Sequence, residues 1–241
     1  MDIRALLFDI NSTLIDIETD ERMDEVYRAI AHFLTYQGID LRRWMVLDLY
    51  FQVMKEQFER SNETFPEFDV VEVWREILLR SGGSYTRSLP LEKLEELPLA
   101  SAEMQRGISR KRLCLYPQVR ETLDRLKPHY RMAIVSDAQT AYAVPELRAV
   151  GIHEYFDPIV ISGDYGYLKP EEHLFQTEMD ALEVRPGMAL FNDNDRDRDA
   201  FGSKPLGINT SLSLSCPGSG RSAHARPHSL VYRLPEPPAD M

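Results

Sequence analysis

Residues 6–16 read LLFDINSTLID, and the fold turns on whether their apolar half is a strand. A largely apolar run over residues 3–8 stops abruptly at Asp9. Three later runs behave the same way: 132–135 before Ser136, 158–161 before Ser162-Gly163-Asp164, and 188–191 before Asn192. Runs this short and continuous read as strands buried on both faces, as in a parallel sheet. Helical patterns fill the gaps over 118–126, 143–150 and 171–182, and Gly151 supplies a stop after the second. Strand and helix in alternation imply an α/β fold, a doubly wound parallel sheet with right-handed crossovers.

Residues 16–112 break that rhythm. Val26, Ile30, Phe33 and Leu34 recur at helical spacing, and 70–79 and 91–97 repeat the pattern, with Gly82-Gly83, Pro90 and Pro98 as breaks. This reads as a helical insertion between the first strand and the rest of the sheet. Trp44, Tyr50, Phe51, Met54 and Phe58 are expected in its core, a minority of them lining a substrate pocket. The α/β unit then comprises residues 1–15 and 113–241. Within it, 215–226 is rich in Ser, Gly and Ala and reads as a loop, while 229–234 suits a last edge strand.

The chain has 241 residues, 39 acidic against 28 basic, for a formal charge of −11. That balance argues against nucleic acid or an anionic membrane surface as partner, since either needs a basic stripe. Two cysteines, Cys114 and Cys216, make no disulfide framework and no zinc-like spacing. The N-terminal stretch has no signal-peptide pattern, and no apolar run approaches the roughly 18 residues of a membrane span. A cytoplasmic protein is expected, and a homodimer stays open.

In an open α/β sheet, polar groups at the carboxyl ends of the strands converge on one crevice. Here they are Asp9, Ser136 and the run 192–199, joined by Lys169 from GDYGYLKPEEHLF at 163–175. A carboxylate, a hydroxyl, an ammonium and an acidic cluster suit attack on an electrophile that carries negative charge. The carboxylate attacks, the hydroxyl and ammonium hold the anion, and a metal masks charge.

These segments, in this order, resemble the haloacid dehalogenase superfamily over roughly residues 3–210. The Asp9 segment is similar to its first motif, IVSDA with Ser136 to its second, and Lys169-Pro170 with Phe175 to its third. NDNDRDRDAFGSKPLG at 192–207 approximates its fourth. The resemblance implies a Rossmann-like core with an inserted helical cap, and a small phosphate ester or other small anion as substrate. It implies Asp9 as nucleophile, Thr13, Ser136 and Lys169 as substrate contacts, and Mg²⁺ on Asp9, the Asn11 carbonyl and Asp195 or Asp199.

The departures are as informative. Phosphatases of the superfamily usually carry Asp two residues after the nucleophile, to protonate the leaving group, and Asn11 stands there. Ser12 replaces the usual Gly, Asn192-Asp193 the usual apolar-Gly pair, and Asn194 the following Asp. General acid catalysis contributes about 10²–10⁴-fold, and departure of halide needs no proton. A metal-dependent phosphatase-like hydrolase is the leading expectation. A metal-free dehalogenase and a weakly active or non-catalytic binding protein are the alternatives. Asp193, Asp195 and Asp197 alternate as in a calcium loop, but Arg198 and Lys204 hold the positions that need Gly and Glu.

Overall fold

β1 (Ala5–Phe8) is buried at all four residues, which fits it for the middle of a sheet. In the computed structural model, residues 2–39, 41–193 and 205–212 are described. The other strands are β2 (Ile15–Thr19), β3 (Arg110–Leu115), β4 (Arg131–Ser136), β5 (Ile159–Ile161), β6 (Ala189–Asp193) and β7 (Asn209–Leu212). Five of them form a parallel sheet in the order β5-β4-β1-β6-β7. The helices α6 (Val119–Leu126), α7 (Thr140–Ala149) and α8 (Glu172–Leu182) cover it.

The two-residue period of a strand decides which helix lies on which face. Leu6 and Phe8 pack with Val119 and Leu123 of α6 and Ala143 and Leu147 of α7. Ala5 and Leu7 face the other way, onto Leu174, Phe175 and Met179 of α8. Helices thus cover both faces, and the sheet is the doubly wound α/β fold that the alternating pattern predicts. β7 was not anticipated, and the segments 215–226 and 229–234 lie outside the described residues.

Between β1 and β4 the chain forms α1 (Asp24–Tyr36), α2 (Val46–Arg60), α3 (Val70–Ser81), the single turn α4 (Ser84–Arg87) and α5 (Leu91–Ser109). α1, α2, α3 and α5 share a hydrophobic cluster centred on Tyr27, Tyr50 and Trp74, whose ring centroids lie 5.4–6.4 Å apart. Tyr142 of α7 joins this cluster from the sheet side. Trp44 departs from expectation: it sits in a 3₁₀ turn ahead of α2 and is 72% exposed. Pro98 departs too, lying inside α5 instead of ending it. Burial of Leu97, Pro98 and Ala102, and packing along both α1 and α3, hold that helix together despite the missing N–H.

β2 and β3 form an antiparallel ribbon, with Ile15 opposite Leu115 and Thr19 opposite Arg110. Both chain crossings between the sheet and the helices run through it. The expected limits of the insertion, after residue 15 and after residue 112, fall within this ribbon.

Candidate active site

β1 delivers Asp9 to the carboxyl end of the sheet, where its N–H donates to the Asn192 carbonyl at the end of β6 (3.3 Å). Asp9 is 8% exposed, and Lys169 Nζ donates to its Oδ1 at 3.3 Å. Lys169 is itself 4% exposed, with its ammonium 5.2 Å from the centroid of the Phe191 ring. Its backbone is fixed as well, because the Lys169 N–H donates to Asp137 Oδ1 at 2.8 Å. A buried carboxylate and a buried cation thus compensate each other's desolvation.

The loop after Asp9 turns back at once. Leu14 and Ile15 both donate backbone N–H groups to the Ile10 carbonyl, at 2.9 and 3.0 Å. Ser12 takes φ +62°, the left-handed region that glycine occupies most readily. This tight turn holds Asn11 and Thr13 beside the strand end.

Buried polar atoms gather there. Asn11 Oδ1, Thr13 Oγ1, Ser136 Oγ and Asn192 Nδ2 are buried and have no hydrogen-bond partner among the described residues. They come from the ends of three adjacent strands, β1, β4 and β6. Leaving such groups without partners costs about 1–3 kcal/mol each, so a polar ligand or water at this point would offset a standing penalty. The expected residues Asp9, Asn11, Thr13, Ser136 and Lys169 are therefore gathered at one end of the sheet.

Asp195 and Asp199 lie outside the described residues. Among the described residues, no three His, Cys, Asp or Glu side chains are placed so that they could hold a metal ion together. The donors present still suit a hard cation in kind, since Asp9 offers a carboxylate and Asn11 a buried amide oxygen. The Asn192 Nδ2 is a donor and suits an anion instead.

A cavity of about 210 Å³ opens beside this cluster, between Asn11 and Asp137 on the sheet side and Glu21, Tyr50 and Glu67 on the helical side. Three contacts not foreseen from the sequence shape it. Gln139, at the start of α7, accepts from the Val70 N–H (2.9 Å) and donates to the Phe68 carbonyl (2.7 Å). Arg106 of α5 bonds both oxygens of Glu146 on α7 and also reaches Glu21. The segment before α3 pairs with the one leading to Lys169, through Leu168 N–H to Phe65 O and Glu67 N–H to Gly166 O. Burial pushes the Glu67 carboxyl up to about 7, against bonds from the Phe68 N–H and Ser162 hydroxyl, with the nearby Asp137 charge adding to the rise. A larger cavity, about 350 Å³, lies between α3, α5 and α7; neither Asp9 nor Lys169 lines either cavity, and only the smaller one is lined by Asn11 and Asp137.

A family model of haloacid dehalogenase-like hydrolases matches residues 3–202. The glyceraldehyde 3-phosphate phosphatase of Methanothermobacter thermautotrophicus is 28% identical over 146 residues, covering 57% of this chain and 65% of that protein. The chain thus spans just under two thirds of that relative's length. The N-acylneuraminate-9-phosphatase of Mus musculus is 25% identical over 249 residues, covering 98% and 93%. A solved 2-haloacid dehalogenase from Pseudomonas syringae pv. Tomato DC3000 has a TM-score of 0.59 at 16% identity, covering 93% and 92%. At that identity the likeness concerns the fold alone. With the match spanning most of its length, the chain belongs to the haloacid dehalogenase-like hydrolases.

Proposed function

We propose that the protein is a phosphatase acting on a small phosphorylated metabolite, with Asp9 as nucleophile. The observation that carries this reading is the buried Asp9–Lys169 pair at 3.3 Å, ringed by buried polar atoms without partners among the described residues. Phosphatase relatives across two substrate classes support the same direction.

Asp9 attacks phosphorus, and the bond to the leaving oxygen breaks, giving an aspartyl-phosphate that water then hydrolyses. Lys169 and the Ser136 hydroxyl hold the phosphoryl oxygens, and Thr13 supports the turn that positions them. Asp9 and the Asn11 main-chain carbonyl, with Asp195 or Asp199, would hold Mg²⁺, which would supply charge neutralisation at the transferring group. The helical segment 16–112 acts as a cap that covers the site and selects the leaving group.

Phosphate release from p-nitrophenyl phosphate with Mg²⁺ tests this. Turnover that Asp9→Asn abolishes is expected, and a wild-type rate no higher than that of Asp9→Asn overturns the reading. Chloride release from 2-chloropropionate without metal, in place of phosphate release, would move the assignment to a dehalogenase.

A further inference from the structure

An alkoxide is a poor leaving group, so cleavage of an alkyl phosphate needs a proton delivered as the bond to phosphorus breaks. Asn11, the polar residue nearest in sequence to the nucleophile among those lining the cavity, carries an amide and has no such proton to give. The carboxyls that line the same cavity differ in what they are bound to. Glu146 and Glu21 are paired with Arg106. Asp137 accepts the Lys169 N–H. Among the described residues, Glu67 has no cation as a hydrogen-bond partner: its oxygens meet the Phe68 N–H (2.9 Å) and the Ser162 hydroxyl (3.3 Å).

We propose that Glu67, carried by the helical insertion, is the proton donor to the leaving group and the base that later activates water. This rests on the phosphatase reading above and adds the residue that completes it. The backbone pairing of residues 65–67 with 166–168 ties the Glu67 backbone to the segment that leads into Lys169. Asp137, which lines the cavity with Glu67, also binds the Lys169 backbone, so the cavity adjoins the nucleophile's own partner.

Ser162 lets Glu67 exist in both protonation states. Its hydroxyl lies 3.3 Å from Glu67 Oε2 and 3.2 Å from the Ala138 carbonyl. Turned to Glu67, it donates to a carboxylate; turned to Ala138, it can accept from a carboxylic acid. A group that alternates between acid and base needs such a neighbour. The charged and titratable groups facing this cavity from the surrounding elements are Asp137, Glu21, Tyr50, Arg106, Tyr142 and Glu146.

The steps balance as follows. Asp9 forms a bond to phosphorus while the P–O bond to the alcohol breaks, and the departing oxygen takes the Glu67 proton. Water then bonds to phosphorus, the Asp9–phosphorus bond breaks with its electron pair returning to the carboxylate, and Glu67 takes a proton from that water.

The test compares p-nitrophenyl phosphate, whose leaving group needs little help, with 2-glycerophosphate, whose leaving group needs a proton. Glu67→Gln is expected to lower kcat on 2-glycerophosphate about 10²-fold or more and on the aryl ester far less. The wild-type rate on the alkyl ester should fall as pH rises through about 7, and this limb should vanish in the variant. Adding Asn11→Asp to Glu67→Gln should recover the alkyl rate at least tenfold. Equal losses on both esters, or no loss on either, overturn the proposal while leaving the phosphatase reading intact. Wild-type inactivity on both esters instead removes the phosphatase reading, and the proposal falls with it.

Discussion

Lys169 and Asp9 are 160 residues apart in the chain, yet their side chains meet at 3.3 Å in a nearly water-free position. Removing one partner of such a pair leaves the other charge buried, which costs about 3–5 kcal/mol. Lys169→Met is therefore expected to destabilise the fold by that order in urea denaturation and to abolish phosphate release. Pairing it with Asp9→Asn should recover much of the stability and none of the activity. A double-mutant cycle measures this, and additive losses would show that the two charges are not coupled.

Gln139 bonds the start of α7 to the loop before α3, using both ends of its amide. Gln139→Ala leaves the Val70 N–H and Phe68 carbonyl without these partners, at a cost of about 1–3 kcal/mol. Faster hydrogen exchange is expected at the Val70 amide, with the central strands β1 and β4 unaffected. KM should rise more than kcat falls, because the helical wall of the cavity loosens while the Asp9–Lys169 pair does not. Unchanged exchange at Val70 would count against this role.

Glu178 of α8 is fully buried, and neither carboxyl oxygen has a partner among the described residues. Burial, reinforced by the charge of Asp157, pushes its pKa from the ordinary 4.5 up to about 9. Between those values the folded protein keeps a proton that the unfolded chain releases. Stability contributed by this group is thus full below about pH 4.5 and is lost as pH rises toward 9, at about 1.4 kcal/mol per pH unit. Glu178→Gln removes the titration. Its stability relative to wild type should be greater at pH 8 than at pH 5 in thermal melts, and a difference independent of pH would refute the assignment.

The sheet was readable because its strands are continuous apolar runs that end on chemistry-bearing residues, as at Phe8-Asp9 and Val135-Ser136. Asp9 was readable for the same reason, since it directly follows β1, whereas Lys169 lies eight residues past β5 and was singled out by the Lys169-Pro170 motif. The β2–β3 ribbon was not, because its residues are half exposed and charged. Arg112 bridges to Asp16 (2.8 Å) and Glu18 (2.9 Å) on one face, while Ile15, Ile17, Leu113 and Leu115 supply a short apolar face that pairs only across nearly a hundred residues of chain. Pro98 misled because its intrinsic cost inside a helix was outweighed by packing that a single sequence does not display. Glu67 gave no signal at all. Its properties arise from burial against Ser162, 95 residues away in the chain, and from the charge of Asp137, also distant in sequence, and no local pattern encodes them.

The ribbon has a further consequence for how such a chain could arise and be re-engineered. Thr19 and Arg110 face each other across its outer end, so the whole helical excursion leaves and returns at neighbouring points. A short reverse turn could join the two strands there, closing a hairpin in place of the five helices, without rethreading the sheet. Removing the excursion would bare Tyr142 and strip Glu146 of Arg106, and those two positions on α7 would need polar and uncharged replacements. The helices are in this sense an exchangeable module plugged into one socket, and a different module grafted there would change the wall that faces Asn11 and Asp137 across the cavity.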